Sequence, residues 1–388
     1  MIYLDNNATT QPDPPVVAAM TECLTANYGN PSSTHRFGQE ARQAVEQARY
    51  QVAQLLNCTP RELVFTSGGT EADNAAILGI LATRPDAKTI VTSAVEHSAV
   101  RQPLEALAKR GYQIVTVGVD TLGRLEMGAL ELVLGDPAIA LVSIMWANNE
   151  TGVIFDSAAI GALTRRYKVP LHVDGVQAAG KLPIDLLGIH KDIDLLSISG
   201  HKFHGPKGVG ALFVRRGVNW SPLLRGGPQE RDRRGGTENV AGIVGMGKAA
   251  ELARVELAAG GGGSRGRITA LRDRLERGIL ERVADSQVIG DPGQRVDNTT
   301  NIAFAALEAE AILLLLSERE LCASAGAACS SGSLEPSAVL RAMHLPERIA
   351  HGAIRFSLSH NTTESEIDQA LEIIPAVIAR LRQVLPVG

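Results

Sequence analysis

Between Arg61 and Val214 the chain repeats one unit: a short β-rich apolar run, a polar or glycine-rich turn, then a helical stretch. The apolar runs are LVFTS, TIVTS, LVSIMW, VPLHV and DLLSIS. Strands that alternate with helices predict an α/β fold whose central sheet is mainly parallel and covered by helices. In such a sheet the turns SGGTE, AVEHS, ANNETG, DGVQ and SGHK share one edge, the edge at which open α/β sheets bind ligands. Residues distant in sequence can therefore meet there.

A chain of 388 residues is long enough for a large core and usually divides into two lobes. Its net charge of −4 supplies no basic footprint for nucleic acid, which favours small-molecule chemistry. The opening MIYLDNNATT has neither a basic nor an apolar signal region, and the longest aliphatic run, Ala311 to Leu316, is far below the ~20 residues that span a bilayer. A soluble, cytoplasmic protein with no membrane partner is expected. Cys23, Cys58, Cys322 and Cys329 form no CxxC pair, so neither a disulfide framework nor a metal site is indicated.

Beyond the repeats, LAAGGGGSRGR breaks a helical pattern and reads as a surface turn near the lobe boundary. A helix from about Ile268, the strand-like TNIAFA, a helix through Ile312 to Leu316, a small-residue loop holding Cys329, a helix from about Pro336 and the strand GAIRFSLS follow. The last helix opens on Thr363 and Glu366 as a capping box, buries Ile367, Leu371, Ile374, Ile378 and Leu381, and contains Pro375 as a candidate kink.

Several residues in the turns suit chemistry. Lys202 stands where a strand gives out, among Ser199, His201 and His204; partial desolvation there would lower its pKa and make it a Schiff-base candidate, whereas a hairpin lysine in water is the plainer alternative. Gly69 and Thr70 open a helix after a strand and suit a phosphate cup, or equally a glycine turn capped by Thr70. His97 could lie over an aromatic cofactor or move a proton. Asn149 either closes an Asx-type turn or reaches a ligand oxygen. Asp174, with Gln177 three residues on, should carry a buried carboxylate in need of a positive partner, such as a protonated pyridine nitrogen.

Cys329 lies in CASAGAACSSGSLEPS, too poor in bulk to bury a thiol, and is a nucleophile candidate; Cys23, Cys58 and Cys322 read as small buried hydrophobes. Arg355, inside an apolar strand, needs an anion, which a substrate carboxylate or a structural salt bridge would provide.

Together the segments YLDNNATT, YGNPSSTHRFG, FTSGGTEADN, EHSAV, WANNETG, HVDGVQAAGKLPIDL, SGHKFHGPKGVGAL, RRGGTEN, CSSGSLEPSAVLRAM and IRFSLS closely resemble the class V, fold type I pyridoxal 5'-phosphate (PLP) enzymes. Within them the chain resembles the cysteine desulfurases of the NifS/IscS group, and WANNETG, GHKFHGPKGVG and EAILLLL lean toward NifS. The loop before Cys329 has fewer serines than is common among relatives, and the four glycines after Ala259 interrupt a region that is usually helical.

The resemblance implies a large PLP-binding domain over 12–258 and a smaller, discontinuous α+β domain over 1–11 and 259–388. It implies Lys202 linked to PLP, His97 stacked on the ring, and Gly69, Thr70, Ser199 and His201 on the phosphate. Thr237 would join them from the other subunit of a homodimer. Asp174 would pair with the ring nitrogen, Asn149 and Gln177 would lie near the ring hydroxyl, and Arg355 with Asn149 would take the carboxylate of L-cysteine. Lys202 would move the α-proton, helped by His97, and Cys329 would take the sulfur as a persulfide, leaving alanine. An iron-sulfur scaffold would be the acceptor, with nitrogenase maturation as the pathway that the lean toward NifS implies. A selenocysteine lyase or another class V enzyme is the rival; a silent scaffold is disfavoured because all five key residues are present.

Overall fold

The computed structural model describes residues 1–260, 263–325 and 336–384. Twelve strands occur among them: β1 (Ile2–Tyr3), β2 (Leu63–Thr66), β3 (Thr89–Ser93), β4 (Gln113–Val117), β5 (Ile139–Met145), β6 (Leu171–Asp174), β7 (Leu195–Ser199), β8 (Gly210–Val214), β9 (Ser286–Ile289), β10 (Thr299–Phe304), β11 (Leu321–Cys322) and β12 (Ala353–Ser357).

Seven of them form one sheet in the order β2-β8-β7-β6-β5-β3-β4. Only β8 runs against its neighbours, being antiparallel to both β2 and β7. The carboxyl ends of β2, β3, β5, β6 and β7 consequently share an edge, and β8 starts from it, with Gly210 paired to both Thr66 and Ser199. A Cβ on Gly210 would fall 2.6 Å from the Ile198 carbonyl and 2.7 Å from the Gly68 backbone, so only glycine lets these three segments close together.

All seven residues of β5 are buried, as a strand covered on both faces requires. One face packs under the helix Gly69–Leu81, where Ile77 and Ile80 meet Leu141, Leu195 and Leu212. The other meets the helices Arg36–Leu56 and Ser157–Arg166, through Val52, Leu56 and Ile160 against Phe65, Val142 and Phe213. Each such aliphatic side chain contributes about 1.5–3 kcal/mol on burial.

A second core gathers Ile2 and Leu4 with the C-terminal third. There β9, β10 and β12 form an antiparallel sheet with β10 in the middle. The helices Ser264–Arg282, Ala309–Glu318 and Glu364–Val384 supply Leu275, Ile312, Leu316 and Ile374 to it. Parallel pairing of β1 with β11 ties the chain's first residues to this core. Thr363 and Glu366 make the reciprocal capping bonds, the expected stripe on the last helix is buried, and Pro375 lies inside one uninterrupted helix.

Of the strands that escape the sequence pattern, β4 and β9 lie at sheet edges. β4 pairs only with β3 at the sheet edge and is exposed or half-buried except at Val117; β9 is likewise a partly exposed edge strand. Cys23 and Cys58 are buried as expected, but Cys322 is only half-buried because β1 and β11 form a two-stranded ribbon.

Candidate active site

The shared strand edge opens into a cavity of about 720 Å³. Gly69, Thr70, His97, Asn149, Asp174, Gln177, Ser199, His201, Lys202 and Arg355 all line it. Thr237 does not line this cavity; it is exposed, beyond a turn in which Glu230, Arg231 and Asp232 all have positive φ. Cys329 lies outside the described residues. Its described flanks both reach the cavity: Ser324 exchanges main-chain hydrogen bonds with Arg355, and Pro336 and Ser337 line the wall.

Lys202 ends a short turn between β7 and β8, and its Nζ donates to the carbonyls of Asn7 at 2.7 Å and Ala8 at 2.9 Å. Gly69 starts the neighbouring helix, where a Cβ would sit 2.6 Å from Val176 Cγ2. The unpaired amides of that helix start, the Ser199 hydroxyl and the His201 imidazole together offer donors for an anion. His201 is pushed down to about 4 by burial and by Lys202, so its ring is neutral.

Asp174 closes β6, and its Oδ1 accepts from the Val176 amide at 2.9 Å. Burial, followed by the nearby Asp73 carboxylate, pushes its carboxyl up to about 7. His172, two residues back, cannot compensate. It is sandwiched between the hydroxyls of Ser143 at 2.8 Å and Ser197 at 2.9 Å, and burial drives it down to about 4. Asp73 is itself buried, and burial raises it to about 7 against the smaller, lowering effect of the nearby Ser197 hydroxyl. Neither His172 nor Asp73 therefore offers Asp174 a positive charge.

His97 caps the helix Ser98–Ala108, its Nδ1 accepting from the Ala99 amide at 3.1 Å. Nδ1 thus has no proton, and Nε2 carries the one on the neutral ring. Burial holds this imidazole below its ordinary pKa, against the pull of Asp174. The Asx turn expected at Asn149 belongs instead to its neighbour: Asn148 Oδ1 accepts from the amides of Glu150 and Thr151, both at 2.9 Å. That leaves the Asn149 side chain on the cavity wall.

Arg355, only 2% exposed, stands in β12 and enters from the second core. Its Nη1 donates to the Asn149 carbonyl at 2.8 Å, its Nη2 pairs with Asp5 Oδ1 at 2.6 Å, and its Nε is buried without a partner. The guanidinium thus has the salt bridge foreseen as an alternative and also faces the cavity.

Two participants, Asn7 and Lys181, were not given a site role from sequence. Asn7 is a hub: its carbonyl accepts from Gln177 and Lys202, its Oδ1 accepts from Lys181 at 2.8 Å and Asn298 at 3.1 Å, and its Nδ2 donates to Thr299. Lys181 also donates to Gln177 Oε1 at 2.6 Å, and burial, then Lys202, hold its pKa well below the ordinary lysine value. Glu150, pushed up to about 7 by burial, accepts from the Ser337 hydroxyl at 2.5 Å. The polar run DNN directly after YL was the available signal for Asn7.

Residues 2–370 match the family described as Aminotransferase class-V. The chain is 52% identical over 387 residues to cysteine desulfurase 2 of Trichormus variabilis, covering 100% of this chain and 95% of the relative. It is 49% identical over 386 residues to cysteine desulfurase NifS of Azotobacter vinelandii, with coverages of 99% and 94%. Among solved structures a NifS-like protein superposes with a TM-score of 0.90 at 36% identity, covering 98% of this chain and 99% of that one. SspA in complex with cysteine superposes with a TM-score of 0.81 at 31% identity, with coverages of 94% and 100%. A family match over nearly the whole chain, with relatives about half identical from end to end, establishes that the chain belongs to the aminotransferase class-V family.

Proposed function

We propose that this protein is a PLP-dependent cysteine desulfurase that converts L-cysteine to L-alanine and passes the sulfur through Cys329. The observation that carries the reading is the meeting of Lys202, Asp174, His97 and Arg355 on one cavity, in a chain about half identical to desulfurases along its full length. Class V enzymes use PLP, and this cavity fits it. The buried Asp174 carboxylate lacks a cation that a protonated pyridine nitrogen would provide, and the helix start at Gly69 offers amides for the phosphate.

When bound, PLP supplies an electron-poor ring that accepts charge from the substrate's Cα. Asp174 would keep the ring nitrogen protonated, Gly69, Thr70, Ser199 and His201 would hold the phosphate, His97 would cover the ring, and Asn149 and Gln177 would serve its hydroxyl. Arg355, with Asn149, holds the substrate carboxylate bidentately. The Lys202 amine removes the Cα proton and returns it, with His97 assisting. The Cys329 thiolate then attacks the substrate sulfur: an S–S bond forms, the C–S bond breaks, and the carbon takes up a proton to leave alanine.

In this reading 12–258 is the cofactor domain, and 1–11 with 259–388 is the smaller domain; the separate core that gathers Ile2 and Leu4 with the C-terminal third supports it. The protein acts as a homodimer in which Thr237 reaches the partner's phosphate site; its exposure supports this. The sulfur acceptor is an iron-sulfur scaffold, with nitrogenase maturation as the pathway suggested by the NifS relative. A cytoplasmic setting accords with the described helices, none of which is long and apolar enough to cross a membrane.

The test is to incubate PLP-loaded protein with L-cysteine and a reductant. Alanine and sulfide should appear in equal amounts; absence of alanine contradicts the reading.

A further inference from the structure

Beside the proposed chemistry stands an amine with no part in it, that of Lys181. It lies in the turn after β6, where the amides of Ala178 and Ala179 donate to the Gly175 carbonyl at 2.9 Å, and those of Lys181 and Leu182 donate to the Ala178 carbonyl at 3.0 Å and 2.9 Å. Gln177 and Lys181 thus stand one turn apart, side by side. Gly180 has φ 76°, and a Cβ on it would fall 2.4 Å from Phe203 Cβ, so the turn needs glycine to pass this close to the segment that carries Lys202.

Lys181 Nζ donates to Asn7 Oδ1 at 2.8 Å and to Gln177 Oε1 at 2.6 Å. Burial, then the cations Lys202 and Arg355, hold its pKa well below the ordinary lysine value, and no carboxylate pairs with it among the described residues. A neutral amine has two hydrogens, and these two bonds use both. Gln177 in turn donates from Nε2 to the Asn7 carbonyl at 2.9 Å, the same carbonyl that accepts from Lys202. Turning the Gln177 amide over would set Oε1 against that carbonyl with no hydrogen between them and would withdraw the acceptor from Lys181. Lys181 lines a second cavity, of about 530 Å³, while Asn7 and Gln177 line the candidate active site and Lys202 lines both.

We propose that Lys181 is a positioning residue of the active site: it holds Gln177 with Oε1 turned to Lys181, so that one Nε2 hydrogen is bound by Asn7 and the other is left for the ring oxygen of the cofactor. This role rests on the reading that places Gln177 by that oxygen. A hydrogen-bond donor there favours the form in which the oxygen is more negative. With the cofactor linked to Lys202, that form is the one that has lost the proton shared between the ring oxygen and the lysine nitrogen. The donor therefore keeps the midpoint of this titration low, and Lys181 does so through Gln177 without touching the cofactor.

Spectrophotometric pH titration of the PLP-loaded protein without substrate reads this midpoint. Besides Lys202, six titratable side chains face the cavity among the described residues, Asp73, Glu96, His97, Glu150, Asp174 and His201, together with three arginines. None of them changes between the variants, so they set where the midpoint starts and not how far it moves. Gln177→Ala should raise the midpoint by about one pH unit, the shift expected when a charged oxygen loses one donor. Lys181→Met should raise it by a similar amount, and the double variant should move no further than Gln177→Ala alone. Circular dichroism and PLP content confirm folding, and Lys181→Leu replaces Lys181→Met if the latter does not fold. An unmoved midpoint in the folded Lys181 variant beside a raised one in Gln177→Ala overturns the proposal alone. An unmoved midpoint in Gln177→Ala overturns the placement of Gln177 and the proposal with it. Additive shifts in the double variant would mean that Lys181 acts without Gln177, and would overturn the proposal as well.

Discussion

Lys202 Nζ donates to the main-chain carbonyl of Asn7 at 2.7 Å, which joins the turn after β7 to a segment that pairs with the C-terminal core. The amine proposed to react is thus held by a backbone acceptor that contributes no charge of its own.

Borohydride treatment of the PLP-loaded protein should fix the cofactor to Lys202, and Lys202→Ala should lose that label. Lys181 is the informative competitor, because it is buried with its pKa well below normal and shares Asn7 with Lys202. Peptide mapping that places the label on Lys181 would reverse the assignment.

Asp174 should show itself through pH. Its folded-state pKa of about 7 lies above the ordinary 3.8, so the cofactor-free folded chain holds this proton more tightly than the unfolded chain does. The corresponding stabilisation is full below about pH 4 and is lost as pH rises through about 7, with a slope of up to about 1.4 kcal/mol per pH unit. Cofactor-free Asp174→Asn should therefore gain on the wild type across that interval, in denaturation measured at several pH values. With PLP added the order should reverse, since the variant lacks the charge facing the ring nitrogen. Parallel pH profiles would remove Asp174 from this role.

Arg355→Ala should raise the KM for cysteine at least about tenfold, since charge-assisted hydrogen bonds contribute about 1.5–3 kcal/mol each. PLP occupancy should change little. An unchanged KM with reduced occupancy would mean that the Asp5 ion pair is the whole purpose of this arginine.

The pair Arg49–Glu230 anchors the segment that carries Thr237, with bonds of 2.6 Å and 2.8 Å and a further bond from the Phe65 amide to Glu230 at 2.9 Å. Both side chains are buried, so Arg49→Ala leaves a bare carboxylate and should cost about 3–5 kcal/mol in denaturant titration. A loss no larger than the ~1 kcal/mol of an exposed pair would contradict this.

Thr237 is tested in mixed dimers. One subunit with Thr237→Glu and one with Lys202→Ala should confine both defects to one site and restore about half the activity per dimer. Inactive mixed dimers of folded, dimeric parents would exclude the contribution in trans.

The central strands were legible because parallel strands covered on both faces are nearly continuous apolar runs, as β5 is from Ile139 to Met145. The same regularity brought nine candidate residues to one cavity, since each stood just beyond or beside a strand end, while Arg355 enters it from within β12. Edge strands β4 and β9 have no such run, because one side faces solvent. Asn7 and Lys181 depend on contacts that no local pattern records; Asn7 meets Lys181 and Asn298 only through folding. Cys329 was visible through the small residues around it and lies where the structure gives no description.

Mass spectrometry of the PLP-loaded protein after brief exposure to L-cysteine tests the sulfur chemistry most directly. Cys329 is expected to gain one sulfur as one alanine is released, while Cys329→Ser binds the cofactor normally and yields almost no alanine. Undiminished alanine from Cys329→Ser, or the added sulfur mapping to Cys322 instead, would contradict the account.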